Sequence, residues 1–427
     1  MRTQRSFKID SLLQSKKALF EWSRGFDDLV WLDSNSHQDA YSSFEACLAV
    51  GVSQRLQTAE GLSIFLDNEK DWLFGYFSYD FKNELENLFS HNADALNFPT
   101  IQFFQPNKLI ILVNGHLHFN YLEAFTDEIE ADYEEIINSQ HKGSSIKSSD
   151  SIKIKMRIHK DDYFDKANRF LEHIYKGDIY EANFCQEFYA EKVDIDPWTT
   201  YRKLNAISEP PFAAFAKLED NYLLCASPER YIKKIAQKVI SQPIKGTARR
   251  GTDELEDEKI KKTLSQDPKE RSENIMITDL VRNDLSKSAL KGSIAVEELC
   301  KPYTFKQVHQ LISTIISRVP LDKSPLELIK ETFPMGSMTG APKISAMNII
   351  EDLEETKRGL YSGAVGYFTP AGDFDFNVVI RSILYNASKK YVSFSVGSAI
   401  TSKSDPEQEY AECLLKAKAM RTVLEEG

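Results

Sequence analysis

Three groups of residues have types and spacings that could do chemistry. The first is a lysine in Gln242-Pro243-Ile244-Lys245-Gly246-Thr247. Lys238 to Ser241 alternates polar with apolar residues and reads as a strand. Ala248 to Gly251 reads as a turn. Lys245 therefore falls at a strand end, where glycine lets the backbone approach a ligand closely. Such an amine is a nucleophile only when burial or a cationic neighbour lowers its pKa, and Arg249 and Arg250 are the expected neighbours. The plainer reading is a surface lysine after an edge strand.

The second group is acidic. Glu270 and Glu273 open a helix that runs through Asp284, and Glu409 and Glu412 lie in a helix begun by Asp405-Pro406. Residues three apart share a helical face. Two carboxylate pairs on two helices suit a hard divalent cation, since Mg²⁺ takes one or two carboxylates plus waters and substrate oxygens. A solvated charged face is the competing reading in a chain that is 27% charged.

The third group lies further on. Thr332 to Lys343 is a loop of small residues running into a helix from Ile344 to Leu353, and its hydroxyls and N–H groups suit a carboxylate or phosphate. It is not a P-loop, because the Gly-Lys-Ser/Thr ending is absent. Gly359 to Phe368 and Asn377 to Ser382 read as a hairpin turning at Ala371-Gly372-Asp373, with Tyr361 and Arg381 facing a ligand. An arginine on an apolar strand needs an anion, either a protein carboxylate or one on a substrate.

The elements around these groups are mixed. Val30 to Leu32, Ser63 to Leu66, Trp72 to Asp80 and Leu109 to Val113 read as strands, the last turning at Asn114-Gly115 into His116 to Phe119. His141 to Asp150 has no apolar periodicity and reads as a linker or exposed loop. Tyr163 to Tyr175 is an amphipathic helix stopped at Lys176-Gly177, and Tyr180 to Phe188 a strand. Strands not followed by helices favour an α+β class over a doubly wound sheet.

The chain of 427 residues carries a net charge of -11, which excludes a general nucleic-acid binder. Its five cysteines show no paired spacing, so neither a disulfide framework nor a zinc site is expected. No stretch approaches the roughly 18 to 20 apolar residues of a membrane span. The expectation is a soluble cytoplasmic protein.

Six stretches, in order, carry a family resemblance. They are Ser227-Pro228-Glu229-Arg230, Pro243 to Thr247, Glu273 to Met276 with Asp279 to Asp284, Gly336 to Lys343, Gly363 to Phe368, and Asp405 to Tyr410. Together they resemble the chorismate-utilising enzymes, whose members make anthranilate, aminodeoxychorismate, isochorismate and salicylate. The resemblance covers about residues 160 to 425, and the aromatic stretch Trp72 to Asp80 resembles the family's N-terminal region. It implies an anthranilate synthase component I-like fold, with two large antiparallel sheets packed together and helices outside. An N-terminal region at 1–140 would then pack on a chorismate-binding catalytic region at 155–427.

The resemblance also implies roles. Glu273 and Glu412 would bind Mg²⁺ directly, with Glu270 and Glu409 holding its waters. Tyr361 and Arg381 would grip the enolpyruvyl carboxylate, and Thr247 and Thr339 would contact substrate. Gly397, Ser398 and Ala399 would form a turn whose N–H groups meet the ring carboxylate. Lysine at position 245 marks the aminodeoxychorismate-forming branch, in which the amine adds to C2 and expels the C4 hydroxyl before ammonia enters at C4. Isochorismate- and salicylate-forming members use a lysine where this chain has Glu181. Gln310 stands where the family usually has a histidine, and glutamine is no base at neutral pH; His309 is its candidate substitute. None of the five cysteines has a glutaminase setting, so the resemblance implies a separate glutaminase subunit delivering ammonia in a heterodimer. The alternatives are an anthranilate-forming component and a catalytically silent member.

Overall fold

The computed structural model describes residues 1–139 and 152–426, so the expected linker from His141 to Asp150 lies outside the described residues. Every pairing between its strands is antiparallel, and the strands form two sheets that share one long member, Ile101–Val113. Along one edge that strand pairs with Ala46–Leu56. Along the other it pairs with Leu73–Phe77 and then His116–Leu122.

From Ala46–Leu56 the first sheet continues through Leu29–Asp33, Phe212–Leu218, Asn221–Ser227, Ser382–Asn386 and Tyr391–Thr401 to Glu181–Glu191. From Leu73–Phe77 the second runs through Ala364–Phe368, Phe374–Val378, Arg230–Ile235 and Lys238–Gln242 to Val308–Arg318. That last strand also pairs with Ile244–Arg249 and Ala295–Thr304. Strands from the first 140 positions thus lie inside both sheets. The expected α+β class, with two antiparallel sheets packed together, is the architecture found.

Alternation of side chains explains the layers. In Leu29–Asp33, Leu29 and Trp31 enter one core while Val30 and Leu32 enter the other. The second core lies between the sheets, where Ala214 and Cys225 of the first sheet join Ile232, Ile315 and Phe376 of the second. The first core lies under helices, including Lys160–Lys176 with Tyr163, Ala167 and Phe170, and Pro406–Glu425 with Cys413, Ala417 and Met420.

Ser63 to Leu66 is helical rather than extended, inside Ala59–Asn68. The Thr58 hydroxyl caps this helix at Gly61 N, and Leu62 and Phe65, three apart, are its buried residues. A four-residue apolar run does not distinguish the two periods; the cap does. Among the described residues no helix is long and apolar enough to cross a membrane.

Candidate active site

The predicted chemistry gathers where the ends of the two sheets meet. Glu181–Glu191, the central strand here, lies between Tyr391–Thr401 and the short strand Gly340–Ala341. Lys245 belongs to the second sheet, in Ile244–Arg249, a strand of its own after a break at Pro243. Its Nζ donates to Glu181 Oε1 at 2.9 Å; the glutamate is buried and the lysine side chain is 13% exposed.

This reverses the expected electrostatics of the lysine. Burial works against its ammonium form, but Glu181, Glu273 and Glu412 outweigh it, so the Lys245 pKa lies above its ordinary value. Arg249 and Arg250 are not its neighbours. They pair with Glu256 at 2.5 Å and Asp257 at 2.8 Å, the two acids being one helical turn's reach away in Glu254–Gln266.

Helix Pro268–Ser286 packs against the lysine strand. Asn274 Nδ2 donates to Lys245 O at 2.9 Å and to Leu311 O at 3.0 Å. Gly246, at φ +98°, is required by this approach, because a Cβ there would come within 3.1 Å of Glu270 Oε2. Helix Pro406–Glu425 faces it across the site. Both helices start with an aspartate cap followed by proline: Asp267 accepts from Lys269 N and Glu270 N, and Asp405 accepts from Glu407 N.

Lys269 lies between the two helices, 4.0 Å from Glu273 Oε1 and 3.8 Å from Glu409 Oε1. Burial raises the Glu273 carboxyl to about 7, with Glu181 and Glu270 adding to it and Lys245 opposing. Burial also raises Glu270 and Glu409, each with Glu412 adding to it. Burial would raise Glu412 as well, but Lys416, at 2.6 Å, more than reverses that. Among the described residues no three acidic, histidine or cysteine side chains form a ready-made metal cage. Two facing carboxylate pairs with an excess of negative charge nevertheless fit Mg²⁺, a hard cation that binds through one or two carboxylates and keeps its waters.

Gly397, Ser398 and Ala399 form no turn. They lie within Tyr391–Thr401, paired with Cys185, Phe184 and Asn183. Lys416 Nζ donates to Gly397 O at 2.8 Å and Ser404 Oγ to Ala399 O at 3.2 Å, so both carbonyls point away from the central strand. In a strand the N–H and C=O of one residue share a side, which puts the Gly397 and Ala399 N–H groups on that same free edge. Gly397 is close-packed below, since a Cβ would meet Cys185 Sγ at 2.5 Å.

Arg381 sits between Phe374–Val378 and Ser382–Asn386 at φ +53°, not within a strand. Its guanidinium makes no ion pair or hydrogen bond among the described residues. Burial lowers its pKa, and Tyr361 and Glu412, the groups it senses, oppose this. Tyr361 is buried with its hydroxyl 3.7 Å from Cys185 Sγ. An unpaired, half-buried arginine beside a tyrosine has the chemistry that suits a carboxylate.

The remaining predicted contacts divide. Thr247 is exposed and accepts from Gln310 Nε2 at 3.5 Å. Thr339 is fully buried, its hydroxyl turned to Gly336 O at 3.2 Å and its carbonyl accepting from Asn183 N at 2.7 Å. His309 does not replace a catalytic histidine. It alternates away from Gln310 on the strand, and its ring is locked between Asp257 at 2.8 Å and Thr304 at 3.0 Å.

Two buried charges were not assigned roles from sequence. Arg358 bridges Glu354, Met338 O and Asn183 O beneath the central strand. Glu229 lies next to the lysine strand, with Oε1 3.5 Å from Ile244 N. Burial lifts the Glu229 carboxyl to about 7, with Lys245 among the groups that oppose the rise. A carboxyl that keeps its proton longer folded than unfolded makes stability fall as pH rises from its ordinary 4.5 to about 7. Glu229→Gln should therefore melt above wild type at pH 8, by a difference on the order of 2–3 kcal/mol, and converge with it near pH 5. Thermal melts at the two pH values check this; an equal offset at both would refute it.

The family model for chorismate binding enzymes matches residues 12–422. The chain belongs to this family. Among the relatives of this chorismate binding enzyme, aminodeoxychorismate synthase component 1 of Escherichia coli is 37% identical over 62% of this chain and 58% of its own. Anthranilate synthase component 1 of Acetivibrio thermocellus is 31% identical over 83% of this chain and 75% of its own. The chain spans about half the length of the aminodeoxychorismate synthases it matches, at 37%, 48% and 58%. The crystal structure of anthranilate synthase component I from Streptococcus pneumoniae superposes with a TM-score of 0.77 at 23% identity, over 90% of this chain and 94% of its own, a likeness of fold.

Proposed function

We propose that this chorismate binding enzyme is the chorismate-converting component of an aminodeoxychorismate synthase, a transferase that makes 4-amino-4-deoxychorismate for p-aminobenzoate and folate synthesis in the cytoplasm. The observation that carries the reading is Lys245, a largely enclosed amine held at the meeting point of the two sheets and facing the carboxylate helices. The name of the Escherichia coli relative supports it.

Glu273 and Glu412 would hold Mg²⁺, with Glu270 and Glu409 on its waters; the ion would neutralise the ring carboxylate and assist departure of the C4 hydroxyl. Arg381 and Tyr361 take the enolpyruvyl carboxylate, and the free-edge N–H groups of Gly397 and Ala399 are available to the ring carboxylate. Lys245 adds to C2 as the C4–O bond breaks. Glu229, which keeps its proton in about half of the molecules near pH 7, can give the leaving hydroxyl its proton. Ammonia then adds at C4 and expels the lysine. All five cysteines are buried and free, which leaves none in this chain placed to be a glutaminase nucleophile and supports a glutaminase partner as the source of the ammonia.

A second reading, anthranilate formation, is favoured by the Acetivibrio relative. Product identity separates the two. Purified chain with chorismate, Mg²⁺ and an ammonium salt should yield aminodeoxychorismate by mass and ultraviolet spectrum. Anthranilate, or no turnover, would overturn the proposal.

A further inference from the structure

Lys245 cannot attack as an ammonium ion, so its proton needs a destination. Nζ lies 2.9 Å from Glu181 Oε1, and no other carboxylate forms an ion pair with it among the described residues. Glu181 is 2% exposed, and its second oxygen, Oε2, is buried without any hydrogen-bond partner. A carboxylate has room for about four acceptor contacts, so this one is under-satisfied in the direction of the site. Its backbone is fixed on both sides by pairing with Thr401 and Ala341.

We propose that Glu181 positions Lys245 and takes up its proton when substrate enters, which makes the amine nucleophilic only in the loaded site. The proposal rests on the reading above that Lys245 is the nucleophile. Burial of an ion pair is costly to both charges, so a proton shift that neutralises them is an accessible alternative once a ligand excludes the remaining water. The other charged groups facing Lys245 are Glu270, Glu273 and Glu412 from the two carboxylate helices and Glu229 from the link between Asn221–Ser227 and Arg230–Ile235. Their contacts lie beyond ion-pair distance, so they act on the lysine through their field.

The step balances. The ammonium N–H bond breaks and Glu181 becomes a carboxylic acid. The free electron pair forms the N–C2 bond as the C4–O pair leaves, protonated by Glu229 to water. When ammonia enters at C4, the C2–N electron pair returns to Lys245 as a neutral amine, which recovers its proton from Glu181, and the new C4 ammonium gives up one proton to restore Glu229.

The test uses the full chain with chorismate, Mg²⁺ and ammonium salt, comparing wild type, Glu181→Gln and Glu181→Asp. Glutamine is isosteric and still accepts a hydrogen bond from Lys245, but it cannot hold the proton. Its kcat should fall on the order of 10²-fold with KM for chorismate within about threefold, and Asp should restore part of the loss. Without chorismate, the pH midpoint for acetylation of Lys245 by acetic anhydride, followed by peptide mass spectrometry, should fall by about one unit or more in Glu181→Gln. A kcat within about threefold of wild type overturns the proposal. So does a lowered kcat with an unmoved acetylation midpoint, which would mark a purely structural contact. Should Glu181→Gln fail to melt cooperatively, Glu181→Asp carries the same two readouts, and wild-type values in both overturn the proposal. If the functional reading itself were wrong, wild type would make no aminodeoxychorismate while the acetylation midpoint still reported on the pair.

Discussion

Lys245→Ala should lose formation of 4-amino-4-deoxychorismate by on the order of 10³-fold or more, equivalent to about 4 kcal/mol of barrier. The covalent route replaces one displacement by two, and no other amine can enter that route. Lys269 is committed to Glu273 and Glu409, and Lys416 to Glu412 and Gly397. The substitution also leaves Glu181 buried without its cation. A half-broken buried pair costs about 3–5 kcal/mol, relieved where the orphaned carboxyl can take a proton. The variant should therefore be markedly less stable at pH 8 than at pH 5, relative to wild type. Adding Glu181→Gln should recover the stability and none of the activity. Product quantified by mass spectrometry decides the first point: activity above about a tenth of wild type would remove the lysine from the mechanism.

Arg358→Met carries the largest expected effect on stability, again about 3–5 kcal/mol. One guanidinium donates to Glu354 at 2.9 and 2.7 Å, to Met338 O at 2.6 Å and to Asn183 O at 2.7 Å, and it lies 4.6 Å over the Tyr79 ring. Glu354 Oε1 in turn accepts from Cys185 N at 2.8 Å. Methionine would leave that carboxylate without its cation and remove the arginine donors from Met338 O and Asn183 O in the interior, and the central strand carrying Glu181 would lose its support. Lysine at 358 would keep the charge but not the planar fork, so most of the loss should persist. Denaturant unfolding measures this; a loss under about 1 kcal/mol would show that packing, not the arginine, holds the strand.

What the sequence made legible was local. The carboxylate pairs follow from spacing along one helix, and the Asp-Pro start of the second helix gives its register. Tyr361 and Arg381 stand out because an arginine among apolar residues needs an anion. The electrostatic state of Lys245 was not legible, because its partner Glu181 is 64 residues away and comes from the other sheet. Arg249 and Arg250, adjacent in sequence, are instead engaged by acids of the following helix. The turn at Gly397 to Ala399 was implied by the resemblance, yet the segment is strand, and glycine stands at 397 because a Cβ there would meet Cys185 Sγ at 2.5 Å. Arg358 drew no attention for the opposite reason: nothing nearby in sequence shows that a charge at that position is surrounded by carbonyls of distant strands.

The interleaving of strands has a consequence for how the chain reaches its native state. Leu29–Asp33 acquires a partner on one edge only when Phe212–Leu218 arrives, and Leu73–Phe77 only when Ala364–Phe368 does. A ribosome must therefore release most of the polypeptide before either sheet can close. Contacts of such sequence separation make assembly slow, and they leave open strand edges exposed while it proceeds. Shortened versions ending before Ala364 would lack the neighbour of an aromatic strand already synthesised, and should collect as aggregates rather than as a smaller working enzyme.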